Sequence, residues 1–264
     1  MGLEYVTSGN IPLRNNLAVF AIPAGFKYLD AEQSQYVLTE LWGNPPSETL
    51  GMIFPGEAGD TIPDTWAVEI SYEEDGHVKD DDARNINYDD LLKQMQESAE
   101  QSNQKRKELG FPTYQLLGWA SAPYYDEKAK KLHWAKRLLF EGDSEETLNY
   151  NIRVLGRKGV LVLNVIGQVE QLEEIKKHVP AILNSINFTP GNRYEDFDSN
   201  IDKVAAYGIG GLIAGGVLAK TGLLAKIGII FAKFAKVIIA GAAIIIAAIV
   251  KFFTGKKKDE QAQS

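Results

Sequence analysis

The stretch that decides the fold is Leu148 to Ile166, Leu-Asn-Tyr-Asn-Ile-Arg-Val-Leu-Gly-Arg-Lys-Gly-Val-Leu-Val-Leu-Asn-Val-Ile. Leu148 to Leu155 and Val160 to Ile166 are rich in apolar and β-branched residues, and the Gly156-Arg157-Lys158-Gly159 between them has a turn composition. So short a connection sets the two runs side by side as an antiparallel pair. Upstream, Thr113 to Ala120 and Leu132 to Phe140 read as further strands. Before them, Tyr88 to Leu109 places Tyr88, Leu91, Leu92, Met95, Ala99, Ser102, Arg106 and Leu109 on one side of a helix, and Gly110 closes it. Downstream, Val169 to Ile186 carries Leu172, Ile175, Val179, Ile182, Leu183 and Ile186 on a second helix, with Pro180 kinking or dividing it.

Further out, Asn10 to Leu13 and Leu17 to Ile22 flank Arg14-Asn15-Asn16 as a hairpin, and Asp30 caps a helix from Ala31 to Trp42. Leu50 to Phe54 and Thr65 to Tyr72 read as strands. The mixture predicts an α+β fold, an antiparallel sheet covered by helices. Residues 1–200 then form one soluble domain, large enough for a sizeable core.

Beyond it the composition changes. Val204 to Phe253 is almost entirely Ala, Gly, Ile, Leu, Val and Phe, broken by single lysines. This predicts a C-terminal transmembrane helical anchor over residues 201–255, with a basic and polar tail at 256–264. Val204 to Ala219 and Val237 to Val250 are each short of the roughly 20 residues that span a bilayer, so the lysines must snorkel, and one or two spans both fit. Gly211, Gly215 and Ala219 recur at four-residue spacing, a helix-packing face that serves a hairpin or a homo-oligomer. The chain carries 28 basic and 35 acidic residues, yet the segment from 201 onward is net positive. The acidic head is unsuited to nucleic acid. The lysines at the end place the tail in the cytoplasm by the positive-inside rule. With one span the head is extracytoplasmic; with two it is cytoplasmic. Met1 to Asn10 shows neither the basic start nor the apolar run of a secretory signal. Cysteine is absent, which removes disulfides and thiolate metal sites.

Five groups of residues are candidates for chemistry. Asp80, Asp81 and Asp82 either gather around a hard cation or cap a helix. Asp196, Asp198, Asn200 and Asp202 begin like a calcium loop, but Ile201 and Tyr207 stand where Gly and Glu are needed, so a cap is the better reading and no metal or cofactor is expected. His133 lies opposite Trp134 in an alternating run, and a general base would need an acid such as Asp80 or Asp82 beside it. Trp119, Tyr124, Tyr125 and Trp134, with Trp66 and Tyr150, line either a binding surface or the core. Arg153 and Arg157, with Lys158, either take an anion or decorate a turn.

Several separated blocks carry a resemblance: Gly43-Asn44-Pro45-Pro46, Ser71 to Gly76 with Asp80 to Ala83, Gly118-Trp119-Ala120 with Pro123 to Asp126, His133 to Lys136, Leu148 to Asn151, Arg153 to Gly159, and Phe188 to Tyr194. Together they resemble an uncharacterised family of bacterial membrane-anchored proteins, a domain of unknown function. The resemblance implies an exported domain on a C-terminal anchor and brings no reaction, ligand or catalytic residue. In arrangement the head also looks like the small sandwich of photosystem-associated and Mog1-type proteins. The expectation is a non-catalytic interaction or sensing module at the cytoplasmic membrane, with the lipid bilayer and a protein as partners. The alternatives are an envelope hydrolase built on His133 and an oligomer assembled through the anchor.

Overall fold

The structure is a computed structural model that describes residues 2–42, 47–56, 66–108, 110 and 112–215. Its centre is the pair read first in the sequence. Strand β9, Thr147–Leu155, and strand β10, Val160–Gln168, run antiparallel with Ile152 opposite Leu163. Side chains alternate across a strand, so Leu148, Tyr150, Ile152 and Val154 enter one core together with Leu161, Leu163 and Val165. Ile152, Leu161 and Leu163 are fully buried. Each such side chain contributes about 1.5–3 kcal/mol of burial.

Around this pair grows a seven-stranded sheet. It adds β3 (Phe26–Leu29), β4 (Gly51–Pro55), β5 (Ala67–Glu73), β7 (Tyr114–Asp126) and β8 (Lys131–Phe140). The order is β3-β4-β5-β10-β9-β8-β7, and every pairing is antiparallel. The edge strand β7 runs past the expected Ala120 because register shifts after Leu116, Trp119 and Ser121 absorb extra residues. An edge strand also tolerates Pro123, which has no N–H to give to a ladder.

One face of the sheet is covered by α3, Leu172–Ser185, and by a small sheet of β1 (Asn10–Leu13), β2 (Ala18–Ala21) and β11 (Ile186–Phe188). The Arg14-Asn15-Asn16 turn of the β1–β2 hairpin takes positive φ at all three residues. Pro180 stays inside α3, which leaves the Lys176 carbonyl without its helical donor. Trp66 Nε1 donates to Glu174 at 3.0 Å and ties α3 to the approach of β5.

The other face carries two clusters. Helix α1, Ala31–Tyr36, is capped by the Asp30 carboxylate, which accepts from the Gln33 N–H at 2.9 Å. It continues as one π turn over Val37–Leu41, which buries Val37 and Leu38 and turns Leu41 out to solvent. Helix α2, Tyr88–Glu108, packs Leu91, Met95 and Ala99 against Leu116 and Trp134. The Asn87 side chain caps it by accepting from the N–H groups of Asp89 and Asp90.

The expected start of the anchor is overturned. Val204–Gly208 is strand β12, parallel to β6 (His77–Lys79), and Ile209–Ile213 is the short helix α4. Ala205, Ile209, Leu212 and Ile213 are buried against Val78, Leu155 and Val160, so the globular domain continues well past residue 200. Gly211 packs inside this domain, where a Cβ would lie 2.6 Å from Tyr207 Cβ, and Gly215, at φ 91°, follows the end of α4. No helix among the described residues is long and apolar enough to cross a membrane. Ala219 and the expected spans from 216 onward lie outside the described residues.

Candidate functional site

Between α3 and strands β7, β8 and β9 lies a cavity of about 360 Å³. Ser121, His133 and Tyr150 line it from the sheet; Val179, Pro180 and Leu183 line it from the helix, with Lys176 and Asn184 beside them. Register explains the grouping, because His133 of β8 pairs with Tyr124 of β7 on one side and Ile152 of β9 on the other. Lys131 donates to the Leu183 carbonyl and fixes the far end of α3 to β8.

His133 and Tyr150 share a hydrogen bond of 2.9 Å between Nδ1 and the hydroxyl. Burial lowers the imidazole's pKa from its ordinary value and pushes the Tyr150 phenol up to about 12. The couple is therefore neutral at neutral pH. The exposed ring of Tyr124 lies over His133 with centroids 5.3 Å apart. Together with the Ser121 hydroxyl and Asn184 amide, this gives uncharged donors and acceptors on an apolar floor, the make-up of a small-ligand or side-chain pocket.

The hydrolase pairing is not formed. Asp80 and Asp82 belong with the α2 and α4 side of the sheet, whereas His133 faces α3 on the other side. Asp80 accepts from Tyr125 at 2.6 Å, Lys130 at 2.6 Å and Tyr194 at 3.0 Å. Burial alone would raise its pKa, but the three hydrogen bonds, Lys130 first, outweigh that and hold it below the usual range. Asp82 accepts from the N–H groups of Ile209 and Gly210 at 2.9 and 3.0 Å and caps α4. Asp81 is exposed. Among the described residues no three acids or histidines gather as a metal set. Within the calcium-like run, Asp198 accepts from the Asn200 N–H and amide, and Asp202 accepts from the Asp198 N–H. Asp196 accepts from Gly191 and Arg193, while Asp202 is wholly covered and accepts from Arg157 Nε at 2.6 Å.

The aromatic residues divide between the two faces instead of lining one surface. Trp134 is 1% exposed, and Trp119 packs under α2 with Nε1 3.4 Å from the Tyr88 carbonyl. Tyr125 bonds Asp80, and only Tyr124 is strongly exposed. Arg157, offered by the sequence either to an anion or to a turn, is held by Asp202 and by the Gly191 carbonyl at 3.1 Å. Arg153 is buried in the sheet. Ser121, Lys176 and Asn184 were not singled out in the sequence; they carry no local motif and meet only because α3 returns across β7 and β8.

The fold and site define a layered α+β domain whose seven-stranded antiparallel sheet holds, under one helix, a largely apolar cavity containing the neutral His133–Tyr150 couple. The chain belongs to the family described as "Protein of unknown function (DUF2167)", which matches residues 5–243. Among solved structures it is similar to cyanobacterial PsbP (CyanoP) from Synechocystis sp. PCC 6803, at 10% identity and a TM-score of 0.39, over 70% of this chain and 94% of that one. It is also similar to the Ran-binding protein Mog1p of Saccharomyces cerevisiae, at 8% identity and a TM-score of 0.36, over 70% of this chain and 96% of that one. No curated protein matches the chain.

Proposed function

We propose that this protein is a membrane-tethered, non-catalytic binding module that receives a small polar-aromatic ligand, or a side chain of a protein partner, in the cavity beneath α3. One observation carries the reading: the His133–Tyr150 couple is neutral, its imidazole bonds a phenol, and the residues lining the cavity include no carboxylate. A general base without an orienting acid is a poor catalyst, whereas a neutral donor and acceptor pair on an apolar floor is suited to recognition. Tethering rests on the sequence from Val217 to Phe253, whose composition is that of lipid-facing helix. The terminal lysines support a cytoplasmic tail and an extracytoplasmic head.

Two measurements test this. A photo-crosslinking residue in place of Tyr124, compared with one in place of the exposed Glu97 on α2, captures a partner in cells only at position 124. Equal capture at both positions removes the cavity from the reading. Alkaline carbonate extraction leaves the full chain in the membrane pellet, and protease reaches the head in cells stripped of their wall. Release into the supernatant refutes the tether, and protection of the head refutes its outward placement.

A further inference from the structure

On the sheet face away from the α3 cavity, register brings Lys136 of β8 beside Asn149 of β9, Trp134 beside Asn151, and Asn151 beside Asn164 of β10. Arg153 is two residues along β9 from Asn151 and so lies on the same face. Its guanidinium stacks over Trp134 at 5.2 Å from the ring centroid, and it is 9% exposed. Its oxygen neighbours are uncharged: the Ile152 carbonyl at 2.9 Å, Asn164 at 3.4 Å and Asn151 at 3.5 Å. Arg153 Nε and Trp134 Nε1 are both buried donors without a hydrogen-bond partner. Half-buried Lys136 makes no hydrogen bond or ion pair among the described residues. Burial, and then the charge of Arg153, lowers its pKa to about 8. Glu69 and Glu73 lie near enough to act on Arg153 electrostatically without forming an ion pair. The Glu69 carboxylate is engaged by Asn164 at 3.1 Å and Ser71 at 3.4 Å.

Two neighbouring cations withdrawn from water are costly unless an anion compensates them. We propose that Lys136 and Arg153 form a binding site for a phosphate-type dianion, held between the ammonium and the guanidinium with the asparagine amides alongside. A phosphate monoester, near −2 at neutral pH, matches two positive heads. Its source is either a soluble phosphate or a lipid headgroup.

The test is competitive acylation of lysines in the full-length chain in non-ionic detergent, read by mass spectrometry as the labelling of Lys136 relative to exposed Lys128. Inorganic phosphate, against chloride at equal ionic strength, lowers that ratio about tenfold when present at about ten times its Kd. If phosphate does so, the site takes a soluble anion. If only vesicles of phosphatidylcholine with phosphatidic acid do so, and not phosphatidylcholine alone, it takes a headgroup. A ratio that neither moves overturns the proposal. Phosphate also raises the unfolding temperature, an increase that Lys136→Met loses and Lys136→Arg keeps; an increase that persists in Lys136→Met overturns it as well. Failure here leaves the α3 cavity untouched, since the two sites lie on opposite faces.

Discussion

At the residue scale, the least expected side chain is His77. It is 6% exposed, stacks on Phe197 at 4.1 Å and on Tyr194 at 4.3 Å, and its Nδ1 has no partner. Burial first, against weaker opposing contacts, lowers its pKa. Because the folded value lies below the unfolded one, His77 contributes stability that is complete above about pH 6.5 and is lost as pH falls through the folded value. The unfolding temperature therefore drops between neutral pH and pH 5, and His77→Phe flattens that drop by removing the proton-binding group. Calorimetry across this range checks it; an unchanged slope in His77→Phe would assign the acid sensitivity elsewhere. His133, lowered for the same reason, adds a second part of the slope. The sequence showed His133 opposite Trp134, as observed, but gave His77 no role, because its ring partners lie more than a hundred residues away.

At the element scale, the β9–β10 hairpin depends on backbone approach at its turn. A Cβ on Gly159 would sit 2.1 Å from the Glu73 carbonyl oxygen of β5. Glu73 is paired to Val160 in the ladder and its backbone cannot simply retreat, so Gly159→Ala destabilises by about 1–3 kcal/mol in chemical denaturation. Gly142→Ala is not a neutral reference, because Gly142 has φ 96°, so Gly2→Ala, with open space, serves as the control. Asp82→Ala removes the α4 cap and costs about 1 kcal/mol, while Asp81→Ala, at an exposed neighbour, changes little. Equal losses in the two aspartate variants would contradict the capping role. The long strands and helices were legible because pattern and punctuation are local: Asp30 caps α1, Gly110 follows α2 and Gly156 to Gly159 joins β9 to β10. Strands β6, β11 and β12 were not. Each is three to five residues long, and β6 and β12 find each other across more than a hundred residues, so neither has a local signal.

At the scale of the whole molecule, the start of the apolar segment after residue 203 belongs to the globular domain. Ile209 is fully buried in the core on the α2 face. Ile209→Ala accordingly lowers the stability of the globular domain by about 2–5 kcal/mol in the full chain. A loss below the error of the denaturation curve would return residue 209 to the anchor. What the sequence determined by itself was the antiparallel α+β class, the main hairpin, the capped helices and the family, since these rest on side-chain period, turn chemistry and contiguous blocks of residues. What only the tertiary structure decided was that the domain continues past residue 200, which carboxylates are committed to caps and ion pairs, and that His133 and Asp80 lie on opposite faces. An apolar run reports only that it avoids water, and whether protein or lipid covers it depends on surfaces supplied by distant parts of the chain.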